Sequence, residues 1–246
     1  MAMLTAYDFT MAGLIDEAGV DIMLVGDSAG MVMAGFETTV YVSMEQMIMH
    51  IEWVKRATRY AMIVGDMPFL SYQAGMDNAV KNAGKFLKAG AEGVKLEGGE
   101  EVVDIVKRLT GFGFPVMGHL GLTPQSVHKF GGYPIQGMTE KAAEKMKKDA
   151  KLLDEAGVFG MVLEKIPASL GKEITESVSC ATIGIGAGRF TDGQVLVSHD
   201  LLGLTEKFKP KFLRKYLNGS EIFADTFRKF ISDIKSSKFP SDEESY

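Results

Sequence analysis

The sequence predicts a (β/α)8 barrel, also called a TIM barrel, and three observations support that prediction. Eight short apolar runs alternate with amphipathic helical patterns along the chain. Runs such as residues 22–25 and 161–163 are apolar on both faces, which is typical of parallel strands covered on both sides. The helical stretches 10–19 and 82–90 end in glycine, a favoured stop for a helix.

The strand count distinguishes the barrel from an open doubly wound sheet, because both architectures share these periodicities. In chain order the eight runs are MLTAY, DIMLVG, AMIVG, GVKLE, PVMGH, GMVLE, ATIGIG and QVLVS. After the eighth run, residues 210–219 and 221–237 are expected to form outer helices, and residues 241–246 form a short acidic tail. We expect residues 1–246 to be one barrel domain.

Composition restricts the classes of ligand and location. A net charge of -5 and a pI near 5.5 provide no basic field, which argues against binding to nucleic acid or to anionic membranes. Cys180 is the single cysteine, so no internal disulfide framework exists. No apolar run approaches the roughly 20 residues needed to cross a bilayer. The expectation is a soluble cytoplasmic protein with a small-molecule ligand.

Two acidic residues repeat the same pattern, in which an apolar run is followed by Gly and Asp. Asp27 and Asp66 therefore lie where buried strands end, and an unpaired buried charge is costly. Carboxylate oxygens without a nearby Cys pair suit a hard cation such as Mg²⁺, and Glu97 is a possible third ligand. The alternative is that each Asp caps the turn or helix that follows it.

The fourth and sixth runs carry further charged residues. Lys95 and Glu97 are two positions apart in one strand, so their side chains share a face. Lys95 requires a carboxylate partner, which either a bound substrate or an internal ion pair would supply. Glu164 ends the sixth run, where an apolar mouth would raise its pKa and suit it to be a general base. A salt-bridged residue at the barrel rim is the alternative for Glu164.

His119 ends the fifth run and opens a long segment rich in glycine and turn residues, residues 119–137. Loops of this length at the active end of a barrel are often lids or binding platforms. We therefore expect His119 to lie at the mouth of the barrel, beneath this segment.

With these residues assembled, the chain closely resembles the ketopantoate (3-methyl-2-oxobutanoate) hydroxymethyltransferase family. The resemblance covers essentially the whole chain, and HLGLTPQSV followed by GGY is its most specific part. The other matching segments are MLTAYDFTMAGLIDEAG, VGDSAGMV, GDMPFLSYQ, NAGKFLKAGAEGVKLEGG, MVLEKIP and IGIGAGRFTDGQVLVSHDLLGL.

The resemblance implies a barrel of the phosphoenolpyruvate/pyruvate type that binds Mg²⁺. It also implies transfer of a one-carbon unit from 5,10-methylenetetrahydrofolate to 3-methyl-2-oxobutanoate, in the pathway to pantothenate, and assembly into a large homo-oligomer. The implied metal-site residues are Asp27, Asp66 and Glu97. The implied substrate contacts are Asp27, Ser28, Asp66, Lys95 and His119, and the implied proton acceptor is Glu164.

Two departures from the family pattern stand out. The helical segment that usually precedes the first strand is absent or very short here, which bears on packing and assembly more than on chemistry. Lys165 follows Glu164 where a small residue or Cys is common, and the strand direction is expected to turn it outward.

Two rival functions are considered. A Mg²⁺-dependent enzyme of the phosphoenolpyruvate mutase and isocitrate lyase type would need a cysteine-bearing loop, whereas Cys180 lies at the start of the seventh run. A barrel that has lost catalysis would show substitutions at the metal or base positions, and all of these positions retain their expected residues.

Overall fold

A computed structural model describes residues 1–205 and 209–246. These residues form two compact units, Met1–Val197 and Ser198–Tyr246. The first unit is a closed barrel in which eight parallel strands follow each other in chain order. The predicted barrel is therefore confirmed, and each strand falls on one of the eight apolar runs. The expectation of a single domain stays a prediction.

The strands of the barrel are β1 (Ala2–Thr5), β2 (Ile22–Val25), β3 (Met62–Asp66), β4 (Gly93–Glu97), β5 (Val116–Gly121), β6 (Gly160–Glu164), β7 (Ala181–Ile185) and β8 (Gly193–Leu196). The helices of this unit are α1 (Phe9–Glu17), α2 (Ala29–Val32), α3 (Met44–Ala57), α4 (Met76–Ala89), α5 (Val103–Gly111), α6 (Val127–Phe130), α7 (Glu140–Glu155) and α8 (Ala168–Ser177). Short 3-10 turns lie at Thr39–Tyr41, Glu100–Val102 and Pro124–Ser126.

Local sequence signals fix where the helices begin and end. Ser43 and Gln46 form a capping box at the start of α3, in which each side chain bonds the backbone N–H of the other residue. Gly90 ends α4 with a φ of 112°, a left-handed conformation that favours glycine. Of the two expected helix stops, Gly90 lies directly after α4 and Gly19 lies two residues after the end of α1.

Alternation along the strands separates two apolar layers. The barrel interior is filled by a cluster drawn from seven strands: Met3, Ile22, Leu24, Val64, Met117, Val162, Ile183 and Val195. Residues of the opposite parity, including Met23, Ile63 and Leu163, join the larger cluster that packs against the helices. Strand β4 supplies no residue to the interior apolar cluster, because its interior positions include Lys95 and Glu97.

The register places the strand ends beside one another. Asp66 is paired with Lys95 across β3 and β4, and Glu97 with His119 across β4 and β5. Gly121 is paired with Glu164 across β5 and β6. The parallel register thus gathers the polar strand ends at one end of the barrel.

The second unit contains α9 (Ser198–Leu201), α10 (Gly219–Lys235) and a 3-10 turn at Asp242–Glu244. The predicted helix over residues 221–237 is confirmed, but the one over 210–219 is wrong. In that segment the backbone N–H groups of Tyr216 and Gly219 donate to the carbonyls of Leu201 and Leu202, not to carbonyls four residues earlier. Tertiary hydrogen bonds therefore replace helical ones. Among the described residues, none of the helices has the length and apolar character required to span a membrane.

Candidate active site

The structure brings the predicted site residues together at the carboxyl ends of strands β2 to β6. Asp27 and Ser28 follow β2, Asp66 ends β3, and Lys95 and Glu97 lie on β4. His119 lies near the end of β5, and Glu164 is the last residue of β6. This is the end at which (β/α)8 barrels carry their active sites.

Lys95 lies among the buried carboxylates. Its ammonium nitrogen is 2.5 Å from Asp66 Oδ1 and 3.9 Å from Glu97 Oε1, and all three side chains are at most 4% exposed. Burial by itself lowers the pKa of Lys95, but the carboxylates of Asp66, Glu97 and Asp27 together raise it above its ordinary value. Lys95 is therefore a permanent cation that partly neutralises this acidic cluster.

His119 lies between two carboxylates. Its Nδ1 is 3.5 Å from Glu97 Oε1, and its Nε2 is 3.2 Å from Glu164 Oε2. Burial and Lys95 lower the pKa of His119, but the adjacent carboxylates of Glu164 and Glu97 outweigh them, so the pKa is raised overall. His119 thus links the buried cluster to Glu164, whose side chain is 17% exposed.

Backbone geometry at the end of β5 holds Glu164 in place. Gly121 has a φ of 94°, and a Cβ atom there would lie 2.1 Å from the carbonyl oxygen of Glu164. The same carbonyl accepts a 2.8 Å hydrogen bond from the N–H of Leu122. Only glycine permits this close approach, so the GHLGL segment fixes where the carboxylate emerges.

The contacts of the Asp27 side chain are not those of a helix cap, which was the alternative role for this residue. Its carboxylate accepts a 2.9 Å hydrogen bond from Gln125 Nε2, and its own N–H points to Asp66 Oδ2 at 3.4 Å. Burial, followed by repulsion from Asp66 and Glu97, raises the pKa of Asp27 well above its usual range. The carboxyl groups of Asp27 and Asp66 are therefore close enough to feel each other's charge.

Sequence reasoning assigned no role to Gln125 or Tyr72, yet both are buried within the cluster. Gln125 contacts Asp27 and Glu97, and the Tyr72 hydroxyl lies 3.0 Å from Gln125 Oε1 and 3.1 Å from Glu97 N. Burial and the Glu97 carboxylate raise the pKa of Tyr72 well above its ordinary value, so its hydroxyl keeps its proton. The only sequence signal for Gln125 was its place within the GLTPQS motif.

Ser28 and the loop after β5 complete the rim of the site. The Ser28 hydroxyl pairs with the Tyr7 hydroxyl at 2.9 Å. Lys165 has a φ of 50°, and its ammonium group donates to the carbonyl of Tyr133 in an exposed hydrogen bond. Burial, together with the charges of Glu164 and Asp27, raises the pKa of the Tyr133 phenol.

The residues present fit a hard divalent cation. Three buried carboxyl groups, Asp27, Asp66 and Glu97, share one buried ammonium group, and Glu97 Oε1 has no hydrogen-bond donor. Across residues 1–205 and 209–246, no three His, Cys, Asp or Glu side chains form a ready-made set of metal ligands. Mg²⁺ commonly takes only one or two protein carboxylates and completes its shell with water and substrate oxygens. Metal binding by these residues stays a prediction.

Comparison with known proteins gives the family. A family model described as ketopantoate hydroxymethyltransferase matches residues 1–242. The chain belongs to this family. The 3-methyl-2-oxobutanoate hydroxymethyltransferase of Syntrophus aciditrophicus (strain SB) is 51% identical over 247 residues, covering 100% of this chain and 91% of the relative. That of Thermotoga maritima is 52% identical over 246 residues, with coverage of 100% and 91%. The family resemblance and the assignment as a transferase of this family are confirmed.

Solved structures agree on the fold. A phosphoenolpyruvate phosphomutase from Streptomyces platensis subsp. rosaceus aligns with a TM-score of 0.65 at 12% identity, covering 95% of this chain and 83% of that one. A 2,3-dimethylmalate lyase of the PEP mutase/isocitrate lyase superfamily aligns with a TM-score of 0.61 at 12% identity, covering 100% and 86%. At such low identity the likeness shows the fold alone, and it agrees with the closed eight-stranded barrel seen here.

Proposed function

We propose that this family member transfers a hydroxymethyl group from 5,10-methylenetetrahydrofolate to 3-methyl-2-oxobutanoate, giving 2-dehydropantoate and tetrahydrofolate. The observation that carries the proposal is the contrast between Glu164 and its neighbours. Glu164 is 17% exposed and 3.2 Å from His119, whereas the other charged side chains of the cluster are almost completely buried. A carboxylate that reaches the mouth from a buried charged floor suits proton removal from a bound acid.

The cation would bind to the floor of the site. Asp27 and Asp66 would hold a divalent ion such as Mg²⁺, with Glu97 as a direct or water-mediated third ligand. Bound there, the ion would supply Lewis-acid polarisation of the keto group of a 2-oxo acid. Glu97 Oε1, which is buried without a donor, supports this placement.

The side chains around the floor have separate roles in the proposed reaction. Glu164 accepts the proton from C3 of the 2-oxo acid, next to the keto carbon. Lys95, with its raised pKa, provides a fixed positive charge near the negative charge that then develops on the substrate. His119 donates to Glu164 or to the substrate, and Ser28 contacts the substrate from the end of β2.

The bonds and protons of the transfer balance as follows. The proton leaves C3 for Glu164, and C3 forms a bond to the methylene carbon delivered by the folate. The bonds from that carbon to the folate nitrogens break, and water supplies the hydroxyl oxygen of the product. Each of the two nitrogens that are released takes up a proton, one equivalent coming from C3 through Glu164 and one from the water, so tetrahydrofolate leaves.

Proton exchange tests the base without the folate. In D₂O with Mg²⁺, we expect the protein to replace the C3 proton of 3-methyl-2-oxobutanoate with deuterium, and EDTA should stop this exchange. Replacing Glu164→Gln should slow exchange by about 10²- to 10⁴-fold, because it removes the general base while keeping the side-chain shape. An NMR time course measures the rate, and calorimetry measures binding of the 2-oxo acid.

Glu173→Gln is the matched control, since Glu173 is exposed and pairs with Lys147 on the outer surface. Exchange at the wild-type rate is expected in that variant. Exchange in Glu164→Gln that matched the control would remove Glu164 from the role of base. Binding of the 2-oxo acid without any exchange in the wild type would revive a non-catalytic binding function.

Two further properties belong to the same proposal. We infer a cytoplasmic location from the single cysteine and the acidic composition, and a large homo-oligomer from the resemblance to the family. Analytical ultracentrifugation tests the second, because a monomer at micromolar concentration would contradict it.

A further inference from the structure

Gln125 bonds the acidic cluster through both its side chain and its backbone, although the sequence suggested no role for it. Its side-chain nitrogen donates to Asp27 Oδ2 and to the carbonyl of Met67, both at 2.9 Å. Its backbone N–H donates to Glu97 Oε2 at 3.0 Å. One residue, 5% exposed, therefore bonds two of the carboxylates expected to face the cation.

The surrounding groups fix the orientation of the Gln125 amide. Its oxygen lies 3.0 Å from the Tyr72 hydroxyl and 3.3 Å from the Gln73 side-chain nitrogen, both of which can donate to it. A flipped amide would set its oxygen against two other acceptors, the Met67 carbonyl oxygen and Asp27 Oδ2, with no proton between them. The network thus allows one orientation, with the NH₂ group toward Asp27.

The two hydrogen bonds engage one oxygen of each carboxylate. In Glu97 the engaged atom is Oε2, while Oε1 is buried without a hydrogen-bond donor and lies toward Lys95 and His119. In Asp27 the engaged atom is Oδ2. A group that bonds one oxygen of a metal-binding carboxylate orients the carboxylate so that its second oxygen is presented to the ion.

We propose that Gln125 is a positioning residue for the divalent cation, holding Asp27 and Glu97 so that one oxygen of each is directed to the ion. The inference rests on the proposed function, because it takes the cation to lie among these carboxylates. A neutral amide suits this position, since it donates to a carboxylate without adding to the negative charge of the cluster. The Tyr72 hydroxyl supports Gln125 from behind, and it also bonds the backbone of Glu97.

Replacement of Gln125 by a residue of similar shape tests the proposal. Gln125→Met keeps the volume and removes both side-chain donors and the acceptor. We expect it to weaken Mg²⁺ binding by about tenfold or more, as is usual when such an outer hydrogen bond to a metal ligand is lost. Calorimetry on the full chain measures the affinity, and the electron paramagnetic resonance spectrum of bound Mn²⁺ reports the symmetry of its ligands.

Two other variants separate positioning from general loss of structure. Asn82→Leu removes a side-chain amide that donates to the Ser71 carbonyl at 2.7 Å, close to β3 but outside the carboxylate cluster. It should keep wild-type Mg²⁺ affinity and the wild-type Mn²⁺ spectrum. Tyr72→Phe removes the hydroxyl that bonds Gln125 Oε1 and the backbone of Glu97. Because it keeps the Gln125 side-chain donors, it should weaken Mg²⁺ binding less than Gln125→Met. This milder variant provides the test if Gln125→Met does not fold.

The results distinguish the inference from the function on which it rests. If the wild type binds Mg²⁺ and Gln125→Met shows the same affinity and the same Mn²⁺ spectrum, the positioning role is overturned and the proposed function is left intact. Tyr72→Phe is judged in the same way if it is the only variant that folds. No Mg²⁺ binding in the wild type overturns the proposed cation and this inference together. Weakened binding with a changed spectrum, absent from Asn82→Leu, supports the role of Gln125.

Discussion

The interior of the barrel contains two layers that are equally buried and held together in different ways. On β3, Val64 belongs to the apolar layer, and Asp66, two positions later on the same face, belongs to the charged layer. On β5, Met117 likewise belongs to the apolar layer, and His119, two positions later, belongs to the charged layer. The apolar layer needs only complementary shape, whereas every charge in the other layer needs a partner. Replacements in the two layers should therefore have different consequences.

The largest effect is expected from removing the buried ammonium group of the charged layer. Lys95→Met leaves Asp66 and Glu97 without their partner, and breaking a buried ion pair in this way costs about 3–5 kcal/mol of the free energy of unfolding. Urea denaturation at pH 7 in EDTA measures it. The loss should shrink at acid pH, where protonation removes the uncompensated negative charge.

A surface ion pair provides the control for that prediction. Lys55 lies 3.4 Å from Glu92, but both side chains are nearly half exposed. Lys55→Met should cost no more than about 1 kcal/mol, because water screens the pair. Equal losses in the two variants would show that the charged layer is as well hydrated as the surface, and the contrast between the layers would fail.

An intermediate effect with a defined dependence on pH is expected at His119. Its pKa is raised in the folded protein, so its stabilising contribution is full below its unfolded pKa of about 6.5 and is lost as the pH rises through the folded pKa. His119→Gln should therefore cost about 1–3 kcal/mol at pH 6 and less at pH 9. Urea denaturation in EDTA at both values checks this, and a loss that did not change with pH would contradict the assigned direction.

The smallest effect is expected in the apolar layer. Ile183→Val removes one methylene from a side chain that is completely buried in the barrel interior, and it should cost about 0.5–1.5 kcal/mol. The rate of deuterium exchange at C3 of the 2-oxo acid should stay at the wild-type value, since no charge is moved. A tenfold drop in that rate would mean that packing in the apolar layer controls the geometry of the charged one.

The charged layer was largely predictable because each of its members lies at the end of a recognisable strand. Asp27 and Asp66 repeat one pattern after two apolar runs, and Lys95 and Glu97 are two positions apart in a third run. The carboxyl ends of neighbouring parallel strands meet at one end of a barrel, so predicting the strands was enough to predict that these side chains lie together. The helix expected over residues 210–219 failed because its apolar spacing was helical while its backbone donors bond the end of α9.

The sequence by itself determined the order of the strands and the end of the barrel that carries charge. It also determined which alternate positions along each strand face the apolar layer and which face the helices. These properties follow from patterns two to four residues long, which any local reading can detect. Only the tertiary structure decided that Gln125 reaches Asp27, 98 residues away, and that His119 lies between Glu97 and Glu164. Such pairings depend on register and loop path, because hydrogen bonds join groups that are close in space whatever their separation along the chain.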